Sequence, residues 1–256
     1  MMFQILGPLV ATTPGGTALA IKSGKPTTVL TALLLNRGKW VGVDRLMDLT
    51  WEGRPPTSAR GNLKSYICGL RAALSPASEH ETIESKPGAY RIVVDHGGVD
   101  VDIVERAAGQ ARVALRSGAP DRACDLLTYA LGRWRGTPYE GLRHPAVLSE
   151  VTRLERLHTC LREDLAETWC VLGRHLDALA LLQELLDEDP LREQVWARLV
   201  LVLNEIGQRG EALAAYRRAR AIIVRELGVE PGAVLAGAQR AVLSGEPALS
   251  NVLQVG

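Results

Sequence analysis

Arg60, Asn62, Lys64 and Ser65 fall within one short stretch, and together they carry the side-chain chemistry of DNA recognition. A guanidinium or ammonium can pair with guanine O6 and N7, a carboxamide with adenine, and a hydroxyl with a base edge or a phosphate. Residues 57–74 contain no Asp or Glu, so nothing in the stretch repels a phosphate. Arg60, Lys64, Cys68 and Arg71 recur at helical spacing, beside a separate apolar stripe of Leu63, Tyr66, Ile67, Leu70 and Leu74. Further on, Lys86, Tyr90 and Arg91 flank the tight Pro87-Gly88 step and offer two cations and a phenol to phosphate oxygens. Trp51 has two readings: a core side chain, or an indole N–H that meets a phosphate. Each of these residues alone also fits a solvated helix face or hairpin packing. The combination of acid-free helix, basic stripe and basic hairpin tip favours DNA.

Such residues need a rigid frame, and the surrounding sequence spells one out. Strand-like pieces at 3–6, 9–11 and 18–21 are separated by the turn-rich Thr13-Pro14-Gly15-Gly16. A helix is expected over about 26–37, with Pro26 in its first turn, Gly38 at its end and Val29, Leu30, Leu33 and Leu34 on its buried face. A short helix fits 43–51, and Gly53, Arg54, Pro55 and Pro56 stop it. The third helix starts at Thr57 or Ser58, either of which can cap it, and runs to Leu74. A hairpin follows, with strands at 83–85 and 90–94 and a tip at 86–89, and then an apparent linker at 95–98. Strands, three helices and a terminal hairpin in this order describe a winged helix-turn-helix.

The remainder reads as helical throughout. Gly173-Arg174-His175-Leu176-Asp177-Ala178-Leu179 matches Gly207-Gln208-Arg209-Gly210-Glu211-Ala212-Leu213 at an offset equal to the tetratricopeptide period, and Gly118 to Ala123 repeats the same Gly-to-Ala step. A stacked array of helix hairpins is expected. Charge divides along the same line. Residues 1–98 hold 11 Lys and Arg against 7 Asp and Glu, whereas residues 99–256 hold 19 against 22. A basic domain joined to an acidic one suits a DNA reader fused to a protein-binding module.

Several classes are disfavoured. Four scattered cysteines form no C-x-x-C pair, and His80, His96, His144, His158 and His175 show no metal-ligand spacing and no partnership with a nucleophile. No metal, cofactor or catalytic role is expected, and phosphate-binding loops and nucleophile elbows are missing. No apolar run reaches about 18 residues and no basic leader precedes one, so a cytoplasmic, nucleoid-associated chain is expected rather than a membrane protein.

The strings Lys25-Pro26-Thr27-Thr28-Val29-Leu30, Val43-Asp44-Arg45-Leu46, Trp51, Pro55-Pro56, Ser58-Ala59-Arg60-Gly61-Asn62-Leu63 and Pro87-Gly88-Ala89-Tyr90 resemble the N-terminal half of the Streptomyces antibiotic regulatory protein family. Asp189-Pro190-Leu191-Arg192-Glu193, Ala212-Leu213-Ala214-Ala215-Tyr216-Arg217 and Glu226-Leu227-Gly228-Val229-Glu230-Pro231-Gly232 resemble its bacterial transcriptional activation domain. The resemblance implies an activator of a secondary-metabolite gene cluster that binds direct repeats in double-stranded DNA near a promoter. Pairs of protomers on DNA and contact with RNA polymerase holoenzyme are implied as well. By position, Arg60, Asn62, Lys64 and Ser65 would enter the major groove and Lys86, Tyr90 and Arg91 would form the wing. Trp51 would contact phosphate, and Glu52, Gly53, Arg54, Pro55 and Pro56 would face polymerase. The chain departs from the family at Gly61, Gly69 and Ala72, where polar or basic residues are usual.

The expected protein is mainly α, with an α+β N-terminal domain. An OmpR-type winged helix over 1–95 precedes a tetratricopeptide-like all-α domain over 99–245 and a tail over 246–256. The alternative is a helical-repeat interaction regulator whose DNA binding is weak or partner-dependent.

Overall fold

The computed structural model describes residues 1–77, 82–141 and 144–245, so His80 and the expected tail 246–256 lie outside the described residues. The chain opens with a two-stranded antiparallel ribbon, β1 (Met2–Gln4) and β2 (Val10–Thr12), in which the buried Phe3 lies opposite the buried Ala11. The strand expected at 18–21 does not form. A single bridge from Thr12 to Ala18 and one bond from the Leu19 N–H to the Ala11 carbonyl are all that pair there. None of residues 18–21 is buried, so no apolar face fixes a register.

Helix α1 (Lys25–Leu35) buries Val29, Leu30, Leu33 and Leu34 and carries Pro26 in its first turn. It stops two residues before the expected 37, because the Asn36 carboxamide donates back to the Ala32 carbonyl and competes with the next helical turn. Strand β3 (Val41–Gly42) leads directly into α2 (Val43–Trp51), and α3 (Ala59–Leu74) follows. Strands β4 (Ile83–Lys86) and β5 (Ala89–Ile92) form the hairpin, and β3 joins it in the antiparallel order β3-β5-β4. Lys86 pairs with Ala89, so the tip shrinks to Pro87 and Gly88, with Gly88 in the left-handed region at φ 75°. Leu30, Leu33, Leu46, Leu63, Ile67, Leu70, Leu74, Ile83 and Ile92 are all buried, giving the three helices and the small sheet a continuous apolar core. The winged helix-turn-helix is realised. Ser58 occupies the position before α3, but its side chain makes no capping bond, contrary to expectation; its Oγ accepts instead from Asn62 Nδ2 at 3.2 Å.

Backbone contacts gather into two compact units. The first holds Met1–Ala107 together with Ala130–His158. Within it the expected linker at 95–98 is packed rather than free: the Phe3 N–H donates to the Gly98 carbonyl, and a Cβ at Gly98 would stand 2.7 Å from Val94 Cγ1. Helix α4 (Asp100–Arg116) then begins with a buried carboxylate. Asp100 accepts the N–H groups of Ile5 (3.0 Å), Leu6 (3.2 Å) and Val101 (3.0 Å). Burial raises its pKa above the usual aspartate value, and these N–H bonds pull against that rise. The carbonyls of Leu6 and Ile5 accept from the N–H groups of Arg135 and Tyr139, and the Tyr139 ring is buried.

The second unit holds Ala108–Tyr129 and the chain from Thr159 onward. Its remaining helices are α5 (Pro120–Leu131), α6 (Pro145–Val171), α7 (His175–Glu188), α8 (Glu193–Glu205), α9 (Arg209–Leu227) and α10 (Ala233–Ser244), of which α5 and α6 also reach into the first unit. The internal repeat is visible in its geometry. Gly118, Gly173 and Gly207 each end a helix with positive φ, at 73°, 73° and 79°. In each copy the next residue donates to the carbonyl five positions back, the Schellman bond that closes a helix end: Ala119 to Ala114, Arg174 to Trp169, Gln208 to Leu203. Five residues after each glycine, Ala123, Ala178 and Ala212 are fully buried, where only a small side chain lets neighbouring helices approach. Helix α8 lies against α7, α9 and α10 and buries Val195, Trp196, Leu199, Val200 and Leu203. The fold is therefore a winged helix followed by a helical-repeat array.

Candidate nucleic-acid interface

The apolar stripe on α3 decides what the helix shows to solvent. Ala59, Leu63, Ile67, Leu70 and Leu74 face the core, which leaves Arg60, Gly61, Lys64, Ser65, Cys68, Gly69 and Ala72 exposed. A Cβ at Gly61 or Gly69 would meet nothing within 4 Å, so neither glycine is demanded by packing. The outer surface of the helix is consequently low in profile, with its cations near the N-terminal half. Such a surface suits a groove about 12 Å wide.

The predicted contacts do not all fall on one surface. Arg60 and Lys64 come together with Lys86 and Tyr90 around a cleft of about 260 Å³ between α3 and the hairpin tip, completed by Val43, Leu63, Gly88 and Ala89. Arg60 pairs with Asp44 at 2.9 Å, but both side chains are largely solvated, and a pair of this kind contributes well under about 1 kcal/mol. It can be exchanged for a phosphate or a base. Lys64 and Lys86 have no carboxylate partner among the described residues. Asn62 and Ser65 are held locally, by Ser58 Oγ and by the Gly61 carbonyl at 3.3 Å.

Arg91 leaves the hairpin on the face opposite Tyr90, the face from which Lys86 also departs, although Lys86 stands at the tip and so lines the cleft as well. Strand alternation puts Arg91 beside Glu84, directly across the β4–β5 ladder, and it gives two N–H groups to Glu84 Oε2. Arg71 turns inward: its Nε donates to the Ile83 carbonyl at 2.8 Å, which ties α3 to β4 and takes the side chain out of the exposed stripe. The helical spacing that placed it beside Lys64 is correct. The partner that drew it back comes from another element.

Trp51 is half-buried and stacks on Tyr66, with ring centroids 6.1 Å apart. Its ring is thus partly covered by a neighbouring ring rather than enclosed in the core, and its indole N–H takes no acceptor among the described residues. Beyond it α2 ends with two successive left-handed residues, Glu52 (φ 54°) and Gly53 (φ 77°). The Gly53 N–H returns to the Asp48 carbonyl, and Glu52, Gly53, Arg54, Pro55 and Pro56 are all exposed.

One residue near the interface escaped the sequence reading. Trp40 lies just before β3, 36% exposed, with Lys86 Nζ 4.7 Å and Arg91 Cζ 4.5 Å from its ring centroid. A tryptophan between Lys39 and a two-residue strand carries no helical or alternating signal. Only its position beside other basic residues could have drawn attention. Elsewhere, no metal-binding cluster occurs among the described residues, and no described helix is long and apolar enough to cross a membrane.

Known proteins resemble the chain along nearly its whole length. The profile of the bacterial transcriptional activator domain matches residues 99–243. The chain is 34% identical to regulatory protein DnrI of Streptomyces peucetius, covering 98% of this chain and 95% of that protein. It is 30% identical to regulatory protein AfsR of Streptomyces griseus over 98% of this chain, although it spans only 25% of AfsR. Among solved structures, Mycobacterium tuberculosis EmbR, in complex with a low affinity phosphopeptide, superposes with a TM-score of 0.87 at 28% identity, over 99% of this chain and 70% of that one.

Proposed function

The chain belongs to the Streptomyces antibiotic regulatory protein family of transcriptional activators, and from that premise we propose that it is a sequence-specific DNA-binding activator of a secondary-metabolite gene cluster. The first hundred residues read the DNA and the helices after Val99 hold protomers together, a division into domains at 1–95 and 99–245. Helix α3 lies in the major groove, with Arg60, Asn62, Lys64 and Ser65 at base edges and phosphates. The hairpin is the wing: Tyr90 meets the backbone from the cleft side, Arg91 from the outer face, and Lys86 from the tip, where it borders both. Arg71 keeps the wing at a fixed distance from α3. The indole N–H of Trp51 donates to a phosphate at the end of α2.

The observation that carries this reading is the cleft, where Arg60 and Lys64 from a helix converge with Lys86 from a hairpin tip, the two lysines having no carboxylate partner among the described residues and Arg60 only a solvated one. Phosphate contacts of that kind release counterions, so binding falls steeply with salt. Pairs of protomers docked on direct repeats near the promoter place the exposed Glu52, Gly53, Arg54, Pro55 and Pro56 loop towards RNA polymerase holoenzyme. The protein acts in the cytoplasm, on the nucleoid.

A footprint on the promoters of neighbouring biosynthetic genes, at two salt concentrations, tests the proposal. The expected result is protection over repeats about one helical turn apart. Diffuse protection that vanishes with salt would sink the claim of sequence-specific reading.

A further inference from the structure

The outer face of the wing holds a group that the cleft does not explain. Strand register puts Trp40, Arg91 and Glu84 in one row across the three-stranded sheet, because Val41 pairs with Tyr90 and Arg91 pairs with Glu84. Lys86 stands two residues along β4 from Glu84, on the same face. The Trp40 ring is the centre of this group, within 5 Å of both cations by ring centroid. An aromatic face attracts cations through its quadrupole, so both side chains are held in place although the surface is solvated. Glu84 fixes the Arg91 fork from the other side.

Trp40 is not covered by the core, and its indole N–H takes no acceptor among the described residues. Lys and Arg side chains lose substantial rotamer freedom when they bind a phosphate, and a platform that already holds them removes part of that cost. We propose that Trp40 is a positioning residue for DNA binding: it holds Lys86 and Arg91 ready for the phosphates of duplex DNA and presents its own N–H beside them. The inference rests on the DNA-binding reading above and extends it to a residue that reading does not use.

The test uses the whole chain and a random-sequence GC-rich duplex at low salt, where phosphate contacts alone support binding. Affinity is read by fluorescence anisotropy for the wild type, Trp40→Phe, Trp40→Leu, Lys86→Ala/Arg91→Ala, and the triple variant that adds Trp40→Leu. Leucine keeps apolar bulk but has no π-face. Trp40→Leu is expected to weaken binding about tenfold and Trp40→Phe by no more than about twofold to threefold. In the Lys86→Ala/Arg91→Ala background Trp40→Leu is expected to cost no more than about twofold to threefold, from the lost N–H, a coupling that a purely structural role would not produce.

Wild-type affinity in Trp40→Leu, or an undiminished tenfold loss in the triple variant, overturns the proposal. A second measurement does not depend on the folding of Trp40→Leu. The wild-type Trp40 indole N–H resonance, assigned by its loss in Trp40→Phe, is expected to shift when DNA is added, and a stationary resonance overturns the proposal. If the wild type binds no duplex at all, both this inference and the functional reading fall. If the wild type binds and Trp40→Leu binds equally well, only this inference falls.

Discussion

Replacing Lys64 and Lys86 together by alanine is the sharpest test of the proposed contact surface. Both ammonium groups line the cleft between α3 and the wing, both are exposed, and neither is paired with a carboxylate among the described residues. Their removal should therefore leave folding nearly untouched, with a stability change within about 0.5 kcal/mol. Binding should change in a characteristic way. Each phosphate contact contributes about 0.9 to the slope of log affinity against log salt, so two lost contacts lower the slope by about 1.8. The deficit of the variant relative to wild type then shrinks about twelvefold between about 50 and about 200 mM salt. Anisotropy titrations on one duplex at four or more salt concentrations give both slopes, and a thermal melt establishes that the variant is folded. An unchanged slope in a folded double variant would refute the assignment of these lysines to the phosphate backbone. A uniform loss at every salt concentration would mean that they read bases instead.

Two further predictions concern stability. Asp100→Ala strips the acceptor from three buried N–H groups, on Ile5, Leu6 and Val101, and should cost about 3 kcal/mol or more in denaturant unfolding. Asp100→Asn keeps one acceptor oxygen and should cost about half as much; a neutral Asp100→Ala would show that these bonds contribute nothing. The pH dependence has a defined sign, because a carboxyl with a raised folded pKa favours the fold in its protonated form. That contribution is fully present below the usual aspartate value and is lost as pH rises through the raised one. Asp100→Asn should therefore lack this component of the stability–pH curve. On α3, Gly69→Ala should stabilise by about 1 kcal/mol and Gly61→Ala, in the first turn, by somewhat less, because each Cβ would enter open space. Amide hydrogen exchange along α3 measures this, and faster exchange in either variant would contradict the open-space reading.

Most of the N-terminal architecture could be read locally. Leu63, Ile67, Leu70 and Leu74 recur at helical spacing, so the period itself assigns one face of α3 to the core and the opposite one to solvent. The repeat was equally plain. A glycine followed five residues later by alanine encodes a left-handed helix end and a close helix contact, both set by the absence or smallness of a side chain. Expectations failed where a local signal had no tertiary support. The stretch 18–21 has strand-forming residues but no buried face, and Ser58 has capping chemistry but a neighbour, Asn62, that occupies its oxygen.

The sequence by itself determined the family, the order of the elements and the polarity of the recognition helix, because these depend on residue type at short spacing. Tertiary structure alone decided which cations are available. Arg71 and Lys64 look equivalent along the helix, yet a carbonyl from β4 claims one and leaves the other in the cleft. It also decided that Asp100, 95 residues from Ile5 in the chain, satisfies the N–H groups of the opening strand segment. The same holds for Trp40, whose meeting with Lys86 and Arg91 depends on strand register rather than on sequence spacing. Periodicity fixes the direction in which a side chain leaves its own element. What it meets there depends on elements brought from far along the chain, and residue spacing does not encode that meeting.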